Sequence, residues 1–253
     1  MHILLTIAYD GTNYAGWQRQ DNAIAVQEKL ENALSVLLSR QITVRSASRT
    51  DAGVHALGQR ASFFAPDLRI PVDKLPIVLV GMLPPDISVT AAEVVSDEFN
   101  PRFDAKCKTY AYNLYHGACP NPLLRRYSVF IPQKLNIDNM KKAAKSFVGR
   151  HDFAAFCATG SSAKTTIREI YDCKMDENPD FCYTLTITGN GFLYNMVRII
   201  AGTILYVGTG KILPGSIPQI ISSCERKQAG KTMPPEGLTL MSVEYGNYTQ
   251  NFC

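Results

Sequence analysis

No pair of the seven cysteines (Cys107, Cys119, Cys157, Cys173, Cys182, Cys224 and Cys253) has C-x-x-C spacing. An odd, scattered set suggests neither a disulfide framework nor a zinc site, and points to a reducing, cytoplasmic setting. Long apolar runs are also missing. The most hydrophobic stretch, "FLYNMVRIIAGTILYVG", carries Arg198 in its middle, which suits a buried core helix better than a membrane span. The opening "MHILLTIAYDG" meets a polar turn too soon for a signal peptide. Catalytic signatures fail in turn: there is no G-x-x-x-x-G-K-[ST], no G-x-S-x-G and no H-E-x-x-H, and the four histidines (His2, His55, His116, His151) lack metal-ligand spacing. These spacings suggest no metal site.

What is present is enough for a real core. The chain has 253 residues, of which 46% are hydrophobic, and only 19% are charged, with a net charge of +4. That mild excess permits a polyanionic partner without demanding one.

Periodicity supplies the architecture. "HILLTIAY" reads as a buried strand, and Val26, Leu30, Ala33, Leu34, Leu37 and Leu38 fall on one face of a helix. "ITVRSAS" and "QRASFFA" read as paired strands flanking a loop, a helix is expected near 73 to 82, and "ISVTAAEVV" reads as a strand. This β-α-β-β-α-β order is the ferredoxin-like, split βαβ unit. A looser copy follows, with strands at "CKTYAYNLYH", near 167 to 175, at "FCYTLTIT" and at "LTLMSVEY", and helices near 137 to 148 and 193 to 207. The expected fold is therefore α+β: two ferredoxin-like halves, 1–104 and 105–253, with antiparallel or mixed sheets flanked by helices and an active-site cleft between them.

Within "SASRTDAGVHALGQ" there is one carboxylate, Asp51. On its own it is an ordinary turn former. Arg49, two residues earlier, shares its side in an extended segment and would keep it ionised, which suits a nucleophile or a fixed charge and disfavours proton donation. His55 either orients a ligand or caps the loop. Arg198 either pairs with a carboxylate such as Asp51, or reaches the surface, or meets a local acid such as Glu169 or Glu244. In "FNPRFDAKCKTYAYNLYH", Arg102, Lys106 and Lys108 alternate with aromatic residues, Tyr110 and Tyr112 sharing one strand face. This is either a nucleic-acid surface or a half-buried edge strand.

Six ordered segments, "YDGTNYAGWQRQ", "SRTDAGVHALGQ", "LPPDI", "FDAKCKTYAY", "GNGFLYNMVRIIAG" and "MPPEGLTL", resemble the tRNA pseudouridine synthase A family over almost the whole chain. Lys108 stands where that family usually has Arg. The resemblance implies a cofactor-independent isomerase, converting uridine to pseudouridine at positions 38, 39 or 40 of the tRNA anticodon stem-loop. It implies Asp51 as nucleophile, Tyr110 stacked on the target base, Leu193 packed against it, Arg198 paired with the nucleophile, and Arg49 intruding where the base leaves the helix. His55 becomes a backbone or phosphate contact. It also implies a homodimer whose RNA groove is built from both subunits. The competing readings are a non-catalytic RNA-binding protein or chaperone on the same scaffold, and a hydrolase, for which the Asp51 segment supplies no second acid.

Overall fold

In chain order the elements are β1 (His2–Tyr9), α1 (Val26–Leu37), β2 (Arg45–Ser46), β3 (His55–Phe64), α2 (Leu75–Val80), β4 (Ile87–Val95), β5 (Cys107–His116), β6 (Val129–Ile131), α3 (Ile137–Lys145), β7 (Gly149–Asp152), β8 (Ile167–Asn178), β9 (Cys182–Gly189), α4 (Met196–Gly208), α5 (Ile217–Ser223) and β10 (Leu238–Glu244). They are taken from a computed structural model, which describes residues 1–246. The described residues divide into two units: Met1–Lys106 together with 240–246, and Cys107–Thr239. The protein is an α+β protein.

In the first unit β1 is almost wholly buried because it is the inner strand, pairing antiparallel with β3 on one side and β4 on the other. β2 pairs antiparallel with β3. The order β4-β1-β3-β2 with α1 and α2 in the connections is the split βαβ arrangement read from the sequence. β10, from Leu240 on, groups with this unit and neighbours β3, although its sequence position suggests a final element of the second half. Its alternating pattern fits a half-buried strand wherever the strand pairs.

Most of the expected α1 face is buried: Val26, Leu30, Ala33 and Leu34. Leu37 and Leu38 are only half-buried, because the helix ends at Leu37 and Ser39 turns with φ +51. The strand expected over 42–48 is reduced to two residues. Two of its backbone donors are taken by α1 side chains: Ile42 N–H goes to Ser35 Oγ at 2.9 Å and Val44 N–H to Glu31 Oε1 at 3.1 Å. A ladder cannot use donors already occupied. β3 begins earlier than its β-rich core suggests, at His55, so the loop carrying Asp51 runs straight into an inner strand.

In the second unit β5, β9 and β8 run antiparallel to their neighbours, β7 flanks β8, and the short β6 lies parallel to β5. β6, β7 and α5 escape a periodicity reading because each spans at most seven residues. α4 starts at Met196, three residues later than expected, because Asn195 sits in the left-handed region at φ +59. Its apolar length of 13 residues is buried almost all round. Among the described residues no helix is long and apolar enough to cross a membrane.

Gly202, in the middle of α4, lets the main chain near residue 231 lie directly on the helix. A Cβ there would stand 1.9 Å from the Lys231 carbonyl oxygen, and Gly230 N–H donates to Thr203 Oγ1 at 2.8 Å. Helix propensity alone would make Gly202→Ala stabilising by about 1 kcal/mol. A backbone clash of this size outweighs that, and we expect a net loss of about 1–3 kcal/mol or more in urea unfolding. A neutral or stabilised variant would show that the 230–233 segment does not rest on α4.

Candidate active site

Asp51 lies on the connection between β2 and β3, and it does open a turn: its carbonyl accepts Val54 N–H at 3.1 Å. The turn is anchored rather than free. Thr50 is 7% exposed, and its hydroxyl shares a 2.7 Å hydrogen bond with Tyr9 on β1. Arg49 on one side is exposed and Asp51 on the other is half-buried, the alternation of an extended chain.

A second strand of main chain, residues 14–17, is stitched to this loop. Trp17 N–H donates to the Thr50 carbonyl at 3.1 Å, and Gly53 N–H donates to the Tyr14 carbonyl at 3.2 Å. Gly16 sits between these bonds at φ +94, where a Cβ would stand 2.5 Å from the Thr50 carbonyl oxygen and 3.0 Å from the Asp51 carbonyl carbon. Only glycine allows both the conformation and the approach. Tyr14 is itself braced, its hydroxyl donating to Asp86 Oδ1 at 2.5 Å. Burial, and then that carboxylate, push the Tyr14 hydroxyl pKa upward, so it remains a neutral donor.

His55 closes the loop from the other end. It is 3% exposed; its Nδ1 accepts Gly11 N–H at 3.1 Å and lies 3.2 Å from Asp10 Oδ1. Asp10 Oδ1 also accepts Thr12 N–H at 2.9 Å. These contacts tie the start of β3 to residues 10–12.

The second unit holds the other candidates. Tyr110 on β5 is buried, and its ring meets Phe192 edge to face with centroids 5.1 Å apart. Leu193 is buried in the turn before α4. Arg198, in the first turn of α4, is half-buried. Its Nη1 donates to Asn195 Oδ1 at 2.6 Å and its Nε to the Met233 carbonyl at 2.7 Å, while Met233 N–H returns a bond to the Arg198 carbonyl at 3.2 Å. These two bonds aim the guanidinium. Next to Met233, the Pro234 carbonyl accepts the buried Tyr112 hydroxyl at 2.7 Å, whose pKa burial raises well above its ordinary value. The "MPPEGL" segment is thus a strap over Arg198 and β5.

Sequence reasoning missed the parts played by Tyr9, Tyr14, Gly16, Asp86, Asn195 and Met233. All six lie in segments quoted for the family resemblance, but none was given a part there, and several act through main-chain atoms that residue identity does not reveal. Among the described residues no three His, Cys, Asp or Glu side chains are grouped as a metal site would require.

A family profile described as tRNA pseudouridine synthase matches residues 5–104 and 143–246. The chain is 47% identical over 243 residues to tRNA pseudouridine synthase A of Ruminiclostridium cellulolyticum, covering 96% of this chain and 99% of that one. It is 46% identical over 244 residues to the protein of that name from Caldicellulosiruptor bescii, again covering 96% and 99%. With that of Bacillus licheniformis the identity is 44% over 249 residues, covering 98% and 100%.

The Tyr9 and Thr50 hydroxyls form a buried pair directly beside Asp51. Removing both should cost less than the sum of removing each: Tyr9→Phe and Thr50→Val singly are expected to lower stability by about 1–3 kcal/mol each, with the double variant recovering part of the sum. Additive losses in a thermal-melt cycle would show that the two hydroxyls are not coupled.

Proposed function

Because the chain belongs to the tRNA pseudouridine synthase family, an isomerase family acting on uridine in tRNA, we propose that it forms pseudouridine at position 38, 39 or 40 of the anticodon stem-loop with Asp51 as nucleophile. The reaction breaks the N1–C1′ glycosidic bond, turns the uracil, and joins C5 to C1′; N1 ends with a proton and C5 loses one to water. An attack on the ribose C1′ and an attack on the base both consume an ionised carboxylate.

The observation that carries this reading is the anchoring of Asp51. Asp51, itself half-buried, stands on a loop held by Tyr9, Tyr14, Trp17 and His55 through hydrogen bonds to nearby residues, as a nucleophile that must meet one carbon requires. A lone acid suits the task, since a second carboxylate would raise its pKa and repel the substrate's phosphates. By resemblance, Arg198 supplies the cation that keeps the nucleophile ionised, and Tyr110 and Leu193 contact the uracil. Arg49, exposed beside Asp51, takes the place of the extruded base, which offsets part of the few kcal/mol that flipping costs. His55 holds the loop. The same resemblance supports a cytoplasmic homodimer that presents basic residues of both subunits to one tRNA, so that a modest +4 per chain is concentrated in one groove.

The test is release of tritium from tRNA labelled at uridine C5. We expect release from the native protein and none above background from Asp51→Asn, with tRNA affinity and melting temperature unchanged within error. Turnover by Asp51→Asn well above background would remove Asp51 from the nucleophile's role. Excess EDTA, with monovalent salt keeping the stem-loop folded, is expected to leave the native rate unchanged; a strong loss would reveal a required metal.

A further inference from the structure

Helix α1 carries a carboxylate on its buried face. Glu31 is 4% exposed, and its two oxygens meet three donors. Oε1 accepts from Gln27 Nε2 at 2.9 Å and from Val44 N–H at 3.1 Å, and Oε2 lies 3.4 Å from Arg19 Nη1. Gln27, one turn earlier and also buried, accepts the main-chain N–H of Arg19 on its Oε1 at 3.1 Å. Burying a carboxylate is costly even when it is partnered, and a leucine would complete the apolar face of α1 without that cost. Packing therefore does not explain the residue.

The donors explain it. Arg19 lies two residues beyond Trp17, whose N–H holds the Thr50 carbonyl, and Gln27 N–H in turn holds the Trp17 carbonyl at 3.0 Å. Val44 lies on the segment that runs through β2 into the Asp51 loop from the other direction. The strand of main chain that braces the loop and the strand that delivers it are separate in sequence, and both are tied to the same carboxylate. The ionised form suits this junction because it offers acceptors on both oxygens and no donor; a glutamine has one oxygen, and its NH2 would face either Arg19 or the Val44 N–H.

We propose that Glu31 is a positioning residue for the isomerisation, fixing the Asp51 loop by clamping residues 17–19 and Val44 to α1. The proposal rests on the reading of Asp51 as nucleophile given above.

Glu31→Gln and Glu31→Leu, each in the full chain, test it with two readouts. In native-state hydrogen exchange, the amides of Trp17 and Gly53, which bind the Thr50 and Tyr14 carbonyls, should exchange at least about 10-fold faster in the variants, while β1 amides paired to β4 keep their native protection. At saturating tRNA, well below the melting temperature, tritium release should fall about 10- to 100-fold, with KM for tRNA changed by no more than about 3-fold. The Leu variant should be the more affected. If it fails to fold, the Gln variant carries the test. Unchanged turnover in a folded variant, or exchange that accelerates equally in β1 and at Trp17, would overturn the proposal and leave Glu31 a general stability residue. Absence of tritium release from the native protein would instead sink the pseudouridine reading, and the exchange arm would still decide whether Glu31 holds the loop.

Discussion

The seam of main chain between residues 14–17 and 50–53 is the constraint on which the candidate site depends. A carboxylate on a surface loop is flexible, and flexibility is ruinous for a nucleophile that must meet one carbon in line. Here two backbone hydrogen bonds, Trp17 to Thr50 and Gly53 to Tyr14, lie on either side of Asp51, and Gly16 at φ +94 lets the two chains touch. Side chains around the seam serve it: Tyr9 holds the Thr50 hydroxyl, Asp86 holds Tyr14, and His55 holds Gly11. The acid itself stays half-buried while Tyr9, Tyr14, Trp17, Thr50 and His55 around it are buried.

The second unit solves a similar problem with a cation. An arginine on an apolar helix would wander or seek water, and Arg198 is kept in place by Asn195 from its own helix turn and by Met233 from the strap. The strap sits on α4 at Gly202 and Gly230, where no side chain intervenes, and reaches β5 through the Tyr112 hydroxyl. Asn195 does two things at once: its left-handed backbone starts α4 late, and its side-chain oxygen accepts a hydrogen bond from Arg198 Nη1.

Much of this was legible in the sequence, and the division is physical. β1, β4 and β5 could be read to the residue because hydrophobic runs and turn residues bound them, and the buried positions of α1 follow the 3.6-residue period. Asp51 and Arg198 stood out because each is a charge in surroundings that lack its like. What could not be read are effects of partners distant in sequence. Val44 looks like a strand residue until Glu31 takes its N–H, and Glu31 looks like a solvated helix acid until its burial is known. Tyr14, Asp86 and Met233 carry no signal by type, since a tyrosine, an aspartate and a methionine carbonyl each have many duller uses.

The account claims that the position of the carboxylate, set by the loop, matters as much as its charge. Asp51→Glu separates the two, because it keeps the charge and moves it by one methylene. Single-turnover tritium release with this variant at saturating tRNA is the most direct measurement. The account predicts native-like tRNA binding with release reduced by at least about 100-fold. Release within about 10-fold of native, little more than 1 kcal/mol of transition-state stabilisation, would contradict it, because a nucleophile that tolerates such a shift has no need of the structure that holds it.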